Sequence, residues 1–159
     1  MLDTSTPLII PQLGPLYQTL APWTEALLRF FVGFAMIPHG LRNTLGFWPS
    51  TGVRSHSIPE LAKQLDGDGY RPGKVWAIAI SATQLIGGPL LALGLFTRPA
   101  AFAILAFLLV ANYERWRVGG YFWNKLGLEY TVMWTLAALY FAVHGGGAIS
   151  LDHVIGRQF

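Results

Sequence analysis

The chain of 159 residues contains no cysteine. Disulfide exchange, thiolate catalysis and thiolate metal ligation are therefore excluded. Any redox role has to run through a bound cofactor, a quinone or a partner subunit. Charge is also scarce. Charged residues make up 12% of the chain, against about 25% in ordinary soluble domains. The few basic residues are scattered between apolar runs, which argues against nucleic acid as a partner. Apolar and polar residues do not alternate, so a membrane β-barrel is disfavoured. The first stretch, "MLDTSTPLIIPQLGPLYQ", has no basic region and is broken by Pro7, Pro11 and Pro15. It reads as a loose or interfacial lead-in and not as a secretory signal. Metal motifs are missing: His39, His56, His144 and His153 are isolated, with none at helical spacing from another. No phosphate-binding glycine loop is present.

What the chain has instead is apolar surface. Hydrophobic residues make up 53% and mean hydropathy is +0.44. A soluble protein this small could not bury so much, so the bilayer is the expected partner and solvent. Four runs have the length of a span. They cover about 22–41, 75–96, 99–116 and 126–144. The expected fold class is all-α: one polytopic membrane domain, a four-transmembrane-helix bundle. Span one measures about 30 Å as a helix, a bilayer core. Span two holds Gln84, then Gly87-Gly88-Pro89, which predicts a kink. Its Gly88 and Ala92 permit close helix contact. Span three follows after a very short turn and continues through Glu114-Arg115-Trp116. Span four ends at Gly145-Gly146-Gly147, with Ser150 a plausible cap for a short tail helix.

Loop one, between spans one and two, carries "SIPELAKQLDGDGYRPG". This predicts a short extra-membrane helix capped by Ser57 and ended by Asp66-Gly67-Asp68-Gly69. The acidic pattern lacks the spacing of a calcium loop. Eight basic residues fall in loops one and three, against two in the other loops and tail. The positive-inside rule therefore puts these loops in the cytoplasm and both termini outside.

This topology groups His39, Arg42, Trp76, Asn112, Glu114, Arg115, Glu129 and Tyr130 at one end of the bundle. Gln84 lies about 13 Å deeper. Glu25 and Arg29 belong to the opposite end, four residues apart on one helix face, and read as a structural ion pair. His39 has two readings. It is either a helix-end imidazole favoured by the helix dipole or a proton-active residue facing Glu129. Glu129 itself either has a functional partner or pairs with Arg115 or Lys125 at the interface. Trp23, Trp48, Trp76, Trp116 and Trp123 lie near span ends and suit interfacial anchoring. Trp134 lies inside span four, where it can pack on neighbours or on a flat ligand.

Four stretches, "LLRFFVGFAMIPHGLRNTLGF", "GGPLLALGLFTRPAA", "GLEYTVMW" and "GGGAISLD", together resemble the DoxX/DoxD-like family of four-helix membrane proteins. The resemblance covers about residues 25 to 152. Arg29, His39-Gly40, the stretch from Gly87-Gly88 to Gly94, and Glu129 match recurrent family positions. Gln84 stands where the family commonly has an acid. Asn112-Tyr113-Glu114-Arg115 stands where it often has a histidine. The resemblance implies a bacterial inner-membrane protein. Some members are linked to thiosulfate:quinone oxidoreduction and others to oxidoreductase complexes in oxidative-stress defence. It thus implies a small subunit of a quinone-linked redox complex, with other membrane or redox subunits as partners. His39, Gln84 and Glu129 would line a quinone site, with Trp76 and Trp134 available for stacking. No catalytic motif complete in itself is present. A non-catalytic scaffold of a larger membrane complex is the alternative, and a transporter ranks last.

Overall fold

The structure is a computed structural model and describes residues 8–48, 55–157 and 159. Arg54, counted above among the loop-one cations, and the first seven residues lie outside the described part. Among the described residues the chain is all-helical, with no strand. Helix α1 spans Gly14–Leu45, α2 Ile58–Gly67 and α3 Gly73–Ala82. A π-helical turn, Thr83–Gly87, joins α3 to α4, Gly88–Leu93. Helices α5, Thr97–Gly119, α6, Glu129–His144, and α7, Leu151–Val154, complete the chain.

Helix α1 starts earlier than expected. Pro15 occupies its first turn, where a missing N–H costs nothing, so the helix begins before Pro22 and runs through it. The stretch 14–18, expected to belong to a loose or interfacial lead-in, is helical. Gly46, in the left-handed conformation, ends α1 and donates to the Arg42 carbonyl. Helix α2 starts as expected, with the Ser57 side chain accepting from the Glu60 N–H. The DGDG stretch ends α2, and the Asp66 carboxylate accepts from Gly73 N at 2.7 Å. Loop one is thereby tied to the start of α3.

The expected kink in span two takes the form of the π turn. Pro89 has no N–H, and the wider turn before it lets Gly88 N–H reach the Thr83 carbonyl. Span four is shorter than expected. Leu126 is left-handed, and Gly127 is pressed against the Tyr121 and Phe122 backbone, so α6 begins only at Glu129. Its 16 residues measure about 24 Å. Among the described residues, two helical segments are long and apolar enough to cross a membrane, Pro11–Leu45 and Gly73–Leu93.

Helix α1 packs along α3 and α4, the π turn and α4 pack along α5, α5 packs along α6, and α6 returns to α1. The core mixes alanines, including Ala100, Ala101, Ala138 and Ala142, with Val32, Met36, Leu91, Ile104 and the single phenylalanine Phe141. Many large apolar side chains, among them Phe30, Phe31, Phe34, Ile86, Phe102 and Leu109, point outward. A soluble bundle would bury them; an alanine-rich interior with bulky apolar side chains outside suits lipid. The α1–α4 contact shows the same economy. A side chain on Gly33 would overlap the Ala92 nitrogen and the Gly88 carbonyl. The small residues noted in span two are thus the floor of a backbone-to-backbone contact.

Candidate functional site

Polar side chains gather at both ends of the bundle, in different states. At one end Arg29 is buried and donates to the carbonyls of Gly146 and, at 2.7 Å, Ile149. Asp152, also buried, accepts from Phe96 N at 2.8 Å, Thr97 N at 2.9 Å and Thr97 Oγ1 at 2.6 Å. Its own N–H donates to the Gly94 carbonyl. Gly94 is left-handed at φ +70°, and a side chain there would strike both Ser150 and Arg29. Ser150 caps α7 as expected. The segment after α6 is therefore a clamp across the ends of α1, α4 and α5.

The expected Glu25–Arg29 ion pair is not made. Arg29 is turned to the two carbonyls, and Glu25 lies outside ion-pair distance, accepting from the Tyr140 hydroxyl at 3.4 Å. Helical spacing alone suggested the pair. The glycine-rich turn offers a closer set of acceptors, which that spacing does not reveal.

At the loop-one end, His39 and Glu129 do not meet. His39 Nδ1 lies 3.2 Å from Arg42 Nη2. A guanidinium only donates, so Nδ1 accepts and the imidazole proton sits on Nε2. The Glu129 carboxylate accepts from Trp123 N at 3.2 Å. Neither Arg115 nor Lys125 pairs with it; among the described residues, the ion pair within 4 Å is Arg117–Glu114 at 3.2 Å. Glu129 is the first residue of α6 and not one turn inside it, so it serves the turn before the helix.

Gln84 is where the sequence suggested something unusual. It is 2% exposed, lies in the π turn and accepts from Asn43 Nδ2 at 3.2 Å. π turns inside helices recur at functional positions. Gly40 permits this contact, because a side chain there would meet Gln84 Cβ and Leu85. Two further groups share this end of the bundle. Ser81 is buried and its hydroxyl has no hydrogen-bond partner. Asn112 Nδ2 donates to Thr135 Oγ1 at 2.8 Å, and Thr135 Oγ1 donates to the Thr131 carbonyl at 2.8 Å. The Thr135 hydrogen is thus committed, which fixes the Asn112 amide orientation and leaves its Oδ1 buried without a partner. Buried polar atoms left unpaired cost about 1–3 kcal/mol each.

Trp134 is partly buried against the core, with the Tyr130 ring edge-to-face at 5.7 Å. Trp76 is half exposed on the outer surface of α3 and does not turn inward. Asn43 and Ser81 were not singled out from the sequence. The signal for Asn43 was available: residues 33, 36, 40 and 43 lie on one helical face, and its first three members are buried small or flexible residues.

Outside the spans, Tyr70 donates to Glu114 Oε1 at 2.5 Å and so ties loop one to the end of α5. This bond to a carboxylate pushes the phenol pKa up to about 12, with burial adding to the effect.

The DoxX family model matches residues 25–114 of this chain. The chain belongs to the DoxX family. The matched part of this DoxX protein holds α1 to most of α5, with Arg29, His39, Asn43, Gln84 and Asn112. The chain is also similar to an uncharacterized protein of Haemophilus influenzae, 31% identical over 136 residues, covering 83% of this chain and 90% of that one. No solved structure matches. Family membership and the apolar helices identify a membrane protein.

Proposed function

We propose that this DoxX protein is a small four-span subunit of the bacterial inner membrane that binds a quinone at the loop-one end of its bundle, as part of a quinone-linked redox complex. The family tie and the unpaired polar atoms on α3 and α5 support this reading. The single observation that carries it is that Ser81 Oγ and Asn112 Oδ1 are each buried without a hydrogen-bond partner. A hydroxyl can donate to a quinone carbonyl, and an amide oxygen can accept from a quinol hydroxyl. Their chemistry therefore fits either state of the ring. A quinone supplies two-electron carrying capacity when bound; the protein's part is to bind and orient it.

Loops one and three face the cytoplasm in this proposal, with the termini outside. The short α6 spans by thinning or tilting, with the Trp123 turn at the headgroups. Gln84 cannot ionise, and Glu129 is engaged by the Trp123 amide. Proton delivery would then fall to a partner subunit, which favours an accessory role over an independent enzyme. His39 would stand at the rim of the site and not in it.

A scaffold or assembly subunit without chemistry is the second reading. It draws on the tight α1–α4 contact at Gly33 and Gly88, which leaves no room for a ligand between those helices. Titration of the purified protein with a short-chain quinone, followed by tryptophan fluorescence, separates the two. Saturable quenching that weakens in Asn112→Leu and Ser81→Ala is expected. Absence of saturation, or quenching unaltered in both variants, would falsify the quinone reading and leave the scaffold.

A further inference from the structure

A second feature of the loop-one end is independent of the quinone reading. Arg42 Nε is buried and has no hydrogen-bond partner. Arg29 Nε is likewise unpaired, but there the backbone of Gly94 closes over the guanidinium. Arg42 instead lines a cavity of about 280 Å³, together with Pro38, His39 and Trp48. Its Nη2 holds His39 by Nδ1, so the His39 Nε2–H is left as a donor. Arg115 from α5 is close enough to act electrostatically on both His39 and Arg42. Its bond to the Leu126 carbonyl, at 3.5 Å, is long.

The carboxylates of this end do not answer that charge. Glu114 is taken by Tyr70 and Arg117, and Glu129 by the Trp123 amide. Glu60 accepts from His56 N, and Asp66 from Gly73 N. Asp68 is exposed at the far end of α2. The Arg42 guanidinium and the His39 imidazole thus line one cavity, Arg115 adds positive charge to it electrostatically, and among the described residues no acid forms an ion pair with any of the three.

We propose that Arg42, His39 and Arg115 form a binding site for a phosphate-bearing anion at the membrane surface. A phosphate offers several oxygens and can accept from both Arg42 and His39 while Arg115 adds charge, which a single carboxylate matches less well. The site lies near the end of α1, at the depth of lipid headgroups if α1 spans. Leu45 and Phe47 are exposed beside it, a surface suited to acyl chains. The phosphate can come from an anionic lipid or from solution, and the experiment separates these sources.

The test is native mass spectrometry of the full chain in mild detergent, with phosphatidylglycerol or diacylglycerol, which has the chains without the phosphate, added. Wild type is expected to hold phosphatidylglycerol at least about tenfold more tightly than diacylglycerol, the worth of one charge-assisted hydrogen bond. Arg42→Gln removes that preference, and Arg42→Lys restores it only in part, because the charge returns without the fork. Arg98→Gln, at the opposite end, leaves it unchanged. Competition by millimolar inorganic phosphate identifies the phosphate group alone as the ligand; persistence of the lipid identifies the headgroup with its chains. Both outcomes support the site. Equal binding of the two lipids by wild type overturns it, as does a preference retained in Arg42→Gln. If Arg42→Gln does not fold, Arg115→Gln decides, since that side chain is exposed: an unchanged preference overturns the proposal.

Discussion

The two ends of the bundle hold the same kinds of residue and use them in opposite ways. At the clamp end, Arg29 and Asp152 are buried, and the chain's own backbone supplies most of their partners. At the loop-one end, Arg42, Ser81 and Asn112 are left with polar atoms that the protein does not satisfy. Burying a polar group is costly unless it is bonded. The clamp end meets most of this demand from the chain's own backbone, with Arg29 Nε left over, while the loop-one end leaves several such atoms open.

The largest effect should come from breaking the clamp. Asp152→Ala strips three donors of a charged acceptor at once. A loss of about 3–5 kcal/mol is expected, read as unfolding by dodecyl sulfate in mixed micelles. Asp152→Asn should lose less, since an amide oxygen still accepts. A loss below about 1 kcal/mol for Asp152→Ala would mean that the segment after α6 is not a clamp.

Next in size is the contact that joins the two ends. Gly33→Ala forces α1 and α4 apart, because the new methyl meets backbone and not a movable side chain. The expected cost is about 1–3 kcal/mol in the same assay. The loop-one end should respond less. Asn112→Leu removes an unpaired oxygen together with one hydrogen bond, and Thr135 keeps its bond to Thr131. The two changes oppose each other, so stability should move by less than about 1 kcal/mol, in contrast to Asp152→Ala. A collapse in Asn112→Leu would show that the two ends are equally structural and would dissolve the contrast.

Much of this architecture was legible in the sequence, because hydropathy and helix-breaking residues act locally. The helical stretches, the Ser57 and Ser150 caps and the close helix contact at Gly88 and Ala92 all followed from such signals. Boundaries were harder. Pro22 looked like a start because proline lacks a donor, but Pro15 offered an earlier one. Leu126 gave no hint of its left-handed turn, which a bulky residue adopts only when packing compels it. The polar partners were hardest. Arg29 found carbonyls some 120 residues away in the chain, and no helical spacing encodes that. Gln84 did attract notice as the one strongly polar side chain of its run. Its partner Asn43 was hidden among residues read as a helix end.

The smallest effect is the most sharply signed. Tyr70 binds Glu114 at the surface, so Tyr70→Phe should cost only about 0.5 kcal/mol at neutral pH, after allowance for solvent screening. Its pH dependence is distinctive. The phenol pKa is about 12 in the folded protein against 10.0 as the ordinary value. The folded state therefore holds this proton more tightly than the unfolded one. The contribution is fully present below pH 10.0 and fades as pH rises through about 12. Ultraviolet titration of tyrosinate, wild type minus Tyr70→Phe, should show a single midpoint near 12. Glu114→Gln should move that midpoint back toward 10.0, because the carboxylate is the main cause of the shift. A difference curve centred on 10.0 in wild type would mean that Tyr70 does not tether loop one to α5. The charged rim around Arg42 would then be framed by a free loop, and the contrast between a fixed end and an open end would extend to the loop itself.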